Sequence, residues 1–194
     1  MKKELSTKKQ FTEAISYIKE IKKFIYASII FFVVSAILGY IFRDDLTFIN
    51  ELLLQILEKT KGLNTPEMIF FILQNNLLSA ILAITIGVLF GIFPIINTIS
   101  NGVVLGYVFG IASDLNGLSV IFQILPHGIF ELPAIFISFG MGIKLGFTLF
   151  LNKKKRMKEF RRRFYSTANT LLMIVIPLLI IAAAIEGLLI SFLG

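Results

Sequence analysis

Residues 24–42 read FIYASIIFFVVSAILGYIF, a stretch without a single charged residue. An α-helix needs about 20 apolar residues to cross the hydrocarbon core of a bilayer, so this stretch predicts a membrane span. The rest of the chain has a matching composition, since 56% of its 194 residues are hydrophobic and 20 are Phe. Further apolar runs lie at 68–96, 102–115, 128–151 and 168–193. The sequence therefore predicts an all-α, polytopic membrane helix bundle with five transmembrane spans.

Polar residues and prolines interrupt the predicted spans at two places. The sequence NTISN at 97–101 separates the second span from the third, and Pro94 is expected to bend the end of the second. Pro126 and Pro133 interrupt the apolar stretch 118–151, which is too long for one straight span. We therefore expect a Pro-broken or partly re-entrant segment before the fourth span.

Basic residues fall in two blocks, one before the first span and one at 152–163, between the fourth and fifth spans. Cytoplasmic loops of membrane proteins carry an excess of Lys and Arg, so both blocks are expected to be cytoplasmic. The N-terminus is then inside, and the chain is predicted to be a multi-pass protein of the cell membrane. The net charge of +7 is accordingly assigned to the membrane surface and not to nucleic acid.

The spans also define the domains. Residues 1–23 are predicted to form a cytoplasmic basic amphipathic segment, and residues 24–194 a single membrane domain. The segment resembles an interfacial helix, because apolar residues recur in it at helical spacing among lysines: Phe11, Ile15, Ile18 and Ile25. A second helix is predicted between the first two spans, with an apolar stripe of Leu46, Ile49, Leu53 and Ile56. We expect it to lie on the outer leaflet or to cap the bundle.

Glycines recur at every fourth residue within the spans, in the GxxxG pattern. The pattern places bare backbone along one face of each helix, where backbones approach closely. The glycines concerned are Gly87 and Gly91, then Gly102, Gly106 and Gly110, then Gly142 and Gly146. They are expected to pack the second, third and fourth spans against one another, with a homodimer seam as the alternative.

Ionisable residues inside apolar stretches usually mark function. His127 and Glu131 are four residues apart and share one face of the fourth helix, while Glu186 lies about 10 Å from the outer end of the last span at 1.5 Å per residue. Asn75 and Asn76 have a similar depth in the second span. The sequence therefore predicts that these groups meet in one layer in the outer half of the bilayer.

Three interpretations of this layer remain open. It is a structural hydrogen-bonded network, a site for a cation, a proton or a polar ligand, or the metal site of a membrane hydrolase. The hydrolase is disfavoured because the chain has one His and lacks the His-Glu-x-x-His spacing. The chain has no Cys, and no Ser lies in a nucleophile elbow. We therefore expect a non-enzymatic protein without a cofactor or a bound metal.

Short motifs are distributed from about residue 24 to the C-terminus. They are Asn75-Asn76-Leu77, Asn101-Gly102, Leu105-Gly106, PHGIFELPA at 126–134, and Ala184-Ile185-Glu186-Gly187. Together they resemble the stage II sporulation protein M family of integral membrane proteins. Seven residues match the family's characteristic polar positions: Asn75, Asn76, Asn101, Gly102, His127, Glu131 and Glu186. All of them except Gly102 are ligand or ion-binding candidates.

The resemblance implies a role in a membrane complex. In spore formers, the family's named member belongs to a complex that localises peptidoglycan-degrading partners during engulfment, and it is not itself known as an enzyme. The implied function is a scaffold, or a partner of other membrane or envelope proteins. Similar proteins occur in bacteria and archaea that form no spores, so sporulation is not implied. The alternative is a transporter or channel component whose passage is lined by Asn75, Asn76, His127, Glu131 and Glu186.

Overall fold

The structure, a computed structural model, describes the backbone of residues 2–117 and 121–193 and the side chains of 6–115, 117 and 128–190. Within this part the chain forms helices and no strand: α1 Lys2–Ile41, α2 Ile49–Thr60, α3 Thr65–Gly87, α4 Ile92–Asn116, α5 Ile121–Gly146, α6 Lys153–Thr170 and α7 Ile176–Leu193. A π-helical turn, Leu171–Val175, joins α6 to α7. Five helical stretches are long and apolar enough to cross a membrane. The predicted polytopic helix bundle is confirmed.

The two basic blocks are helical extensions of the first and last spans. α1 has 40 residues, about 60 Å at 1.5 Å per residue, which is twice the roughly 30 Å of a hydrocarbon core. The basic segment is therefore not a separate surface helix but continues directly into the first span. The expected loop at 152–163 is likewise helical, and begins where the Asn152 side chain accepts a hydrogen bond from the Lys154 N–H.

The boundary between the second and third spans differs from the prediction. α3 ends at Gly87 and α4 begins at Ile92, so residues 97–101 lie inside a helix and not in a turn. The chain reverses where Phe90 and Gly91 adopt left-handed conformations, with φ of 60° and 69°. Pro94 lies in the first turn of α4, where its missing N–H removes no helical hydrogen bond. The predicted bend at the end of the second span is therefore wrong.

The predicted break before the fourth span is also absent. α5 is continuous from Ile121 through Pro126 and Pro133 to Gly146. A proline within a helix removes one backbone hydrogen bond, and neighbouring helices in a membrane bundle can compensate for that loss. The two prolines were therefore insufficient evidence for a broken or re-entrant segment.

α5 lies at the centre of the bundle. In its apolar stretch 72% of the residues are buried, against 22% to 28% in the other four spans. Its Ala134, Phe139 and Met141 are fully buried in a core shared with α1, α3 and α7. Fully buried positions leave little room for larger side chains, so bulky substitutions should be tolerated least in α5.

Glycines allow the spans to approach closely within the chain. A Cβ at Gly87 in α3 would lie 2.8 Å from the Cα of Gly142 in α5, and one at Gly146 would contact Gly91 and Gly87. Along α4, the glycines contact α1 instead, where added Cβ atoms would meet Ser35 at Gly102, Ala36 at Gly106 and Arg43 at Gly110. The predicted glycine faces are thus occupied by intrachain contacts.

α2 lies at one end of the bundle, which we call the α2 end; the opposite end, where the basic blocks lie, is the basic end. Ile49 of α2 is buried, and Asn50 accepts a 2.8 Å hydrogen bond from the Tyr107 hydroxyl of α4. Other apolar side chains of α2 remain exposed: Leu52, Leu54, Ile56 and Leu57. α2 is therefore attached at its first turn and does not cap the bundle with its apolar face.

Candidate functional site

The candidate site is formed by one side chain from each of three spans, Asn76 of α3, Glu131 of α5 and Glu186 of α7. The Asn76 amide donates a hydrogen bond to the Glu131 carboxyl group, and Glu186 is near enough to act electrostatically on Glu131. Asn76 is buried, and both carboxyl side chains are half-buried. The predicted meeting of an amide with two carboxyl groups is thus present for these three residues.

Close helix contacts position these side chains. Gly187, next to Glu186, brings α7 against the start of α3, since a Cβ there would lie 3.2 Å from the Ile69 backbone nitrogen. The contact between Gly87 and Gly142 brings α3 and α5 together in the same way. These contacts bring α5 and α7 against α3, the helix that carries Asn76.

Asn76 lies deeper in its helix than the sequence predicted. Asn76 is equidistant in sequence from Thr65 and Gly87, the two ends of α3, which places it about 16 Å from either end. The predicted depth of about 10 Å used a second span that ran from 68 to 96, and the structure shifts this span toward the N-terminus. Asn76 is thus at mid-height of α3, whereas Glu186 lies about 10 Å from the end of α7, as the sequence predicted.

Two other predicted site residues, Asn75 and Asn101, do not join this cluster. Asn75 is exposed on the outside of α3, because neighbouring helical residues point about 100° apart. Asn101 belongs to a second polar group, in which it donates to Asn97 at 2.8 Å and Asn97 donates to Ser79 at 3.1 Å. The side chain of His127 lies outside the described residues. Of the predicted layer, the structure therefore brings together Asn76, Glu131 and Glu186 and leaves Asn75 outside.

A further polar network at the basic end was not predicted. Glu20 of α1 accepts two 2.8 Å hydrogen bonds from Arg162 of α6 and lies 3.3 Å from the Lys144 ammonium of α5. Arg163, which is 8% exposed, donates to the Lys144 backbone oxygen at 2.9 Å and to the Thr148 hydroxyl at 3.2 Å. The available signal was Glu20 itself, an acidic residue close to the first span and surrounded by lysines.

The chemistry available at the cluster of Asn76, Glu131 and Glu186 is that of carboxyl groups in a low-dielectric site. Two such groups can share a proton or hold a cation, whereas two adjacent negative charges would be strongly unfavourable. Among the described side chains, no group of three or more His, Asp or Glu residues could hold a metal ion. Because His127 is not among them, the expectation of a non-enzymatic protein stays a prediction.

Comparisons with known proteins agree with the motif-based resemblance. The family model for stage II sporulation protein M matches residues 28–189. An uncharacterized protein of the archaeon Methanocaldococcus jannaschii is 35% identical over 163 residues, which cover 82% of this chain and 89% of the relative. A second uncharacterized protein of the same organism is 28% identical over 185 residues, covering 89% of this chain and 83% of that relative. No solved structure shows significant similarity. The chain belongs to the stage II sporulation protein M family.

Proposed function

We propose that the chain is a non-enzymatic scaffold that anchors partner proteins in a complex of the cell membrane, with its basic end in the cytoplasm. The observation that carries this proposal is the basic head, which we define as residues 6–23 of α1 together with α6. The head is an ordered helical surface attached directly to two spans. Such a surface suits stable docking better than two flexible basic loops would.

Specific contacts hold the two parts of the basic head together. The Tyr17 and Thr167 hydroxyl oxygens are 3.2 Å apart in a buried hydrogen bond, and the Asn169 side chain donates to the Gln10 backbone oxygen at 2.7 Å. Ala14 is completely buried at the same contact surface of α1. Together with the ion pairs of Glu20, these contacts define one arrangement of the head.

The exposed charge of the head indicates the chemistry of a partner. Its exposed basic side chains include Lys8, Lys9, Lys19, Lys22, Lys23, Lys153, Lys154, Lys155 and Lys158. An acidic segment of a cytoplasmic or membrane protein would complement this surface and be attracted to it at low ionic strength. We therefore expect partner binding to weaken as salt concentration rises.

Charge reversal on the head tests the scaffold. Lys154→Glu with Lys158→Glu changes one exposed face of α6, and Lys59→Glu with Lys61→Glu makes the same change of charge at the α2 end. After cross-linking in cells and purification from membranes, we expect the first variant to lose its stoichiometric partner at least tenfold and the second to retain it. Equal retention in both variants would reject the head as the docking surface, and a wild-type protein without a partner would reject the scaffold.

A transport or channel component is the second candidate, and the cluster of Asn76, Glu131 and Glu186 favours it. Carboxyl groups within membrane spans are a frequent feature of proton and cation pathways. In proteoliposomes, we expect Glu131→Gln to abolish a proton or cation flux that Glu58→Gln, on exposed α2, leaves unchanged. A scaffold without transport activity would show no flux in any variant and would retain its partner in Glu131→Gln.

A further inference from the structure

Amide side chains of α3 and α4 form a polar surface apart from the carboxyl cluster; Gln74, Asn75 and Asn101 are exposed, and Asn97 is half-buried. We call the surface formed by Gln74, Asn75, Asn97 and Asn101 the amide face. Asn97 donates to Ser79 across the two helices, and Asn101 donates to Asn97. Because α3 and α4 run in opposite directions, Asn75 and Asn101 each lie one turn from this bond toward the α2 end. They therefore lie at a similar height on the two helices.

The amides of this face are incompletely satisfied. Gln74 and Asn75 are exposed and make no side-chain hydrogen bond within the described part of the chain. Asn101 is exposed, and no donor to its carbonyl oxygen is found among the described residues. Asn75 lies about 15 Å from the start of α3, and Asn101 about 14 Å from the start of α4. At this depth lipid supplies no hydrogen bond, so unpartnered amides are strongly unfavourable.

The other described side chains leave this face uncovered. In α3 and α4 only 28% of the apolar stretch is buried, and Leu78, Ile81, Ile96 and Ile99 are exposed around the amides. The glycine faces, the other candidates for a seam between chains, are occupied by α1 and α5. Within the described part of the chain, no other span forms an interface with these amides.

We propose that two copies of this chain pair through their amide faces in the membrane. A primary amide both donates and accepts, so the same side chain can bond reciprocally to its equivalent across a two-fold axis. A second copy inserted in the same direction brings its amides to the same depth. The face carries no charge, and a lipid headgroup lies about 15 Å away from these groups. The inference is independent of the scaffold and transport proposals.

Cysteine cross-linking tests the pairing without background, because the natural chain has no Cys. Leu78→Cys places a thiol one turn from Asn75, at a side chain that is 53% exposed. Ile180→Cys on α7, at a side chain that is 48% exposed, is the matched control. In native membranes, we expect oxidation to link Leu78→Cys into a dimer and to yield at least tenfold less dimer from Ile180→Cys. Equal yields, no dimer, or a link from Leu78→Cys to a different protein would overturn the pairing.

Removal of one amide tests whether the hydrogen bonds matter. Asn75→Leu deletes a side chain that bonds to nothing within the described residues, so the fold should persist, as checked by thermal unfolding. Thr85→Val is the matched change on exposed α3, where the hydroxyl bonds only to its own helix. In single-molecule photobleaching at graded protein-to-lipid ratios, we expect the dissociation constant to rise at least tenfold in Asn75→Leu and to stay constant in Thr85→Val. An unchanged constant in Asn75→Leu would contradict an amide-mediated dimer.

Discussion

Replacement of Gly142 by Ala tests the close packing of α3 against α5. An added Cβ would lie 2.9 Å from the Ala83 carbonyl carbon and from the Pro94 Cγ, and it would contact the Ala83 oxygen. Backbone atoms cannot rotate away from such a contact, so the two helices must separate. Gly128 in the same helix is the matched control, because its nearest neighbour, the Leu132 Cδ1, would be 3.5 Å away in ordinary contact.

The difference between the two variants isolates the packing term. Gly→Ala within a helix gains about 0.5–1 kcal/mol at either site, and this gain cancels in the comparison. What remains is the cost of overpacking at Gly142, about 1–3 kcal/mol. For a protein of this size each kcal/mol corresponds to roughly 2–4 °C in Tm, so Gly142→Ala should unfold roughly 2–12 °C below Gly128→Ala. Circular dichroism at 222 nm in detergent micelles measures both midpoints.

Equal midpoints for the two variants would refute the reasoning, and so would a Gly142→Ala protein that is the more stable of the two. Either result would mean that α3 and α5 have room for a methyl group at their contact. The close approach of α3 to α5 at their glycines would then no longer explain how Asn76 and Glu131 are brought together.

The remaining predictions concern two polar contacts, one at the basic end and one between α2 and α4. Glu20→Gln removes the carboxylate shared by a lysine of α5 and an arginine of α6, and for these partly exposed groups we expect a loss of about 1 kcal/mol. Glu13→Gln, whose carboxylate is 59% exposed, should leave the thermal midpoint unchanged; a similar loss in both variants would argue against a specific network. Tyr107→Phe removes the hydrogen bond that attaches α2, at a cost of about 1 kcal/mol, and should speed proteolysis between α1 and α3. Tyr165→Phe, on a 75% exposed side chain, is its control, and unchanged proteolysis in Tyr107→Phe would show that α2 is held by other contacts.

The fold class was predictable because the five spans follow from the lengths of the apolar runs, which can be counted directly in the sequence. The turn between α3 and α4 was not, because Phe90 has no sequence feature that demands a left-handed conformation. The polar residues at 97–101 were predicted to form a turn because the sequence does not show whether they have hydrogen-bond partners within the bundle. Once Asn97 bonds to Ser79 of the neighbouring helix, a polar side chain is compatible with a span.

The site was predictable in part for a similar reason. Ionisable residues within apolar stretches drew attention to Glu131 and Glu186, and both lie in the cluster. Sequence alone could not decide which of two adjacent amides would join them, since Asn75 and Asn76 point in directions about 100° apart. That choice depends on the rotation of α3 against α5, which the glycine contacts set.

The π-helical turn at Leu171–Val175 has a consequence for the last span. A π turn accommodates one residue more than an α-helical turn, so it resets the rotation of everything that follows it. Removing one residue there would restore the α-helical register and rotate Glu186 by about 100° around the axis of α7, away from Glu131. The π-helical turn thus sets the rotation of α7 relative to α6. It lets α6 contact α1 while the Glu186 carboxyl group of α7 lies near Glu131.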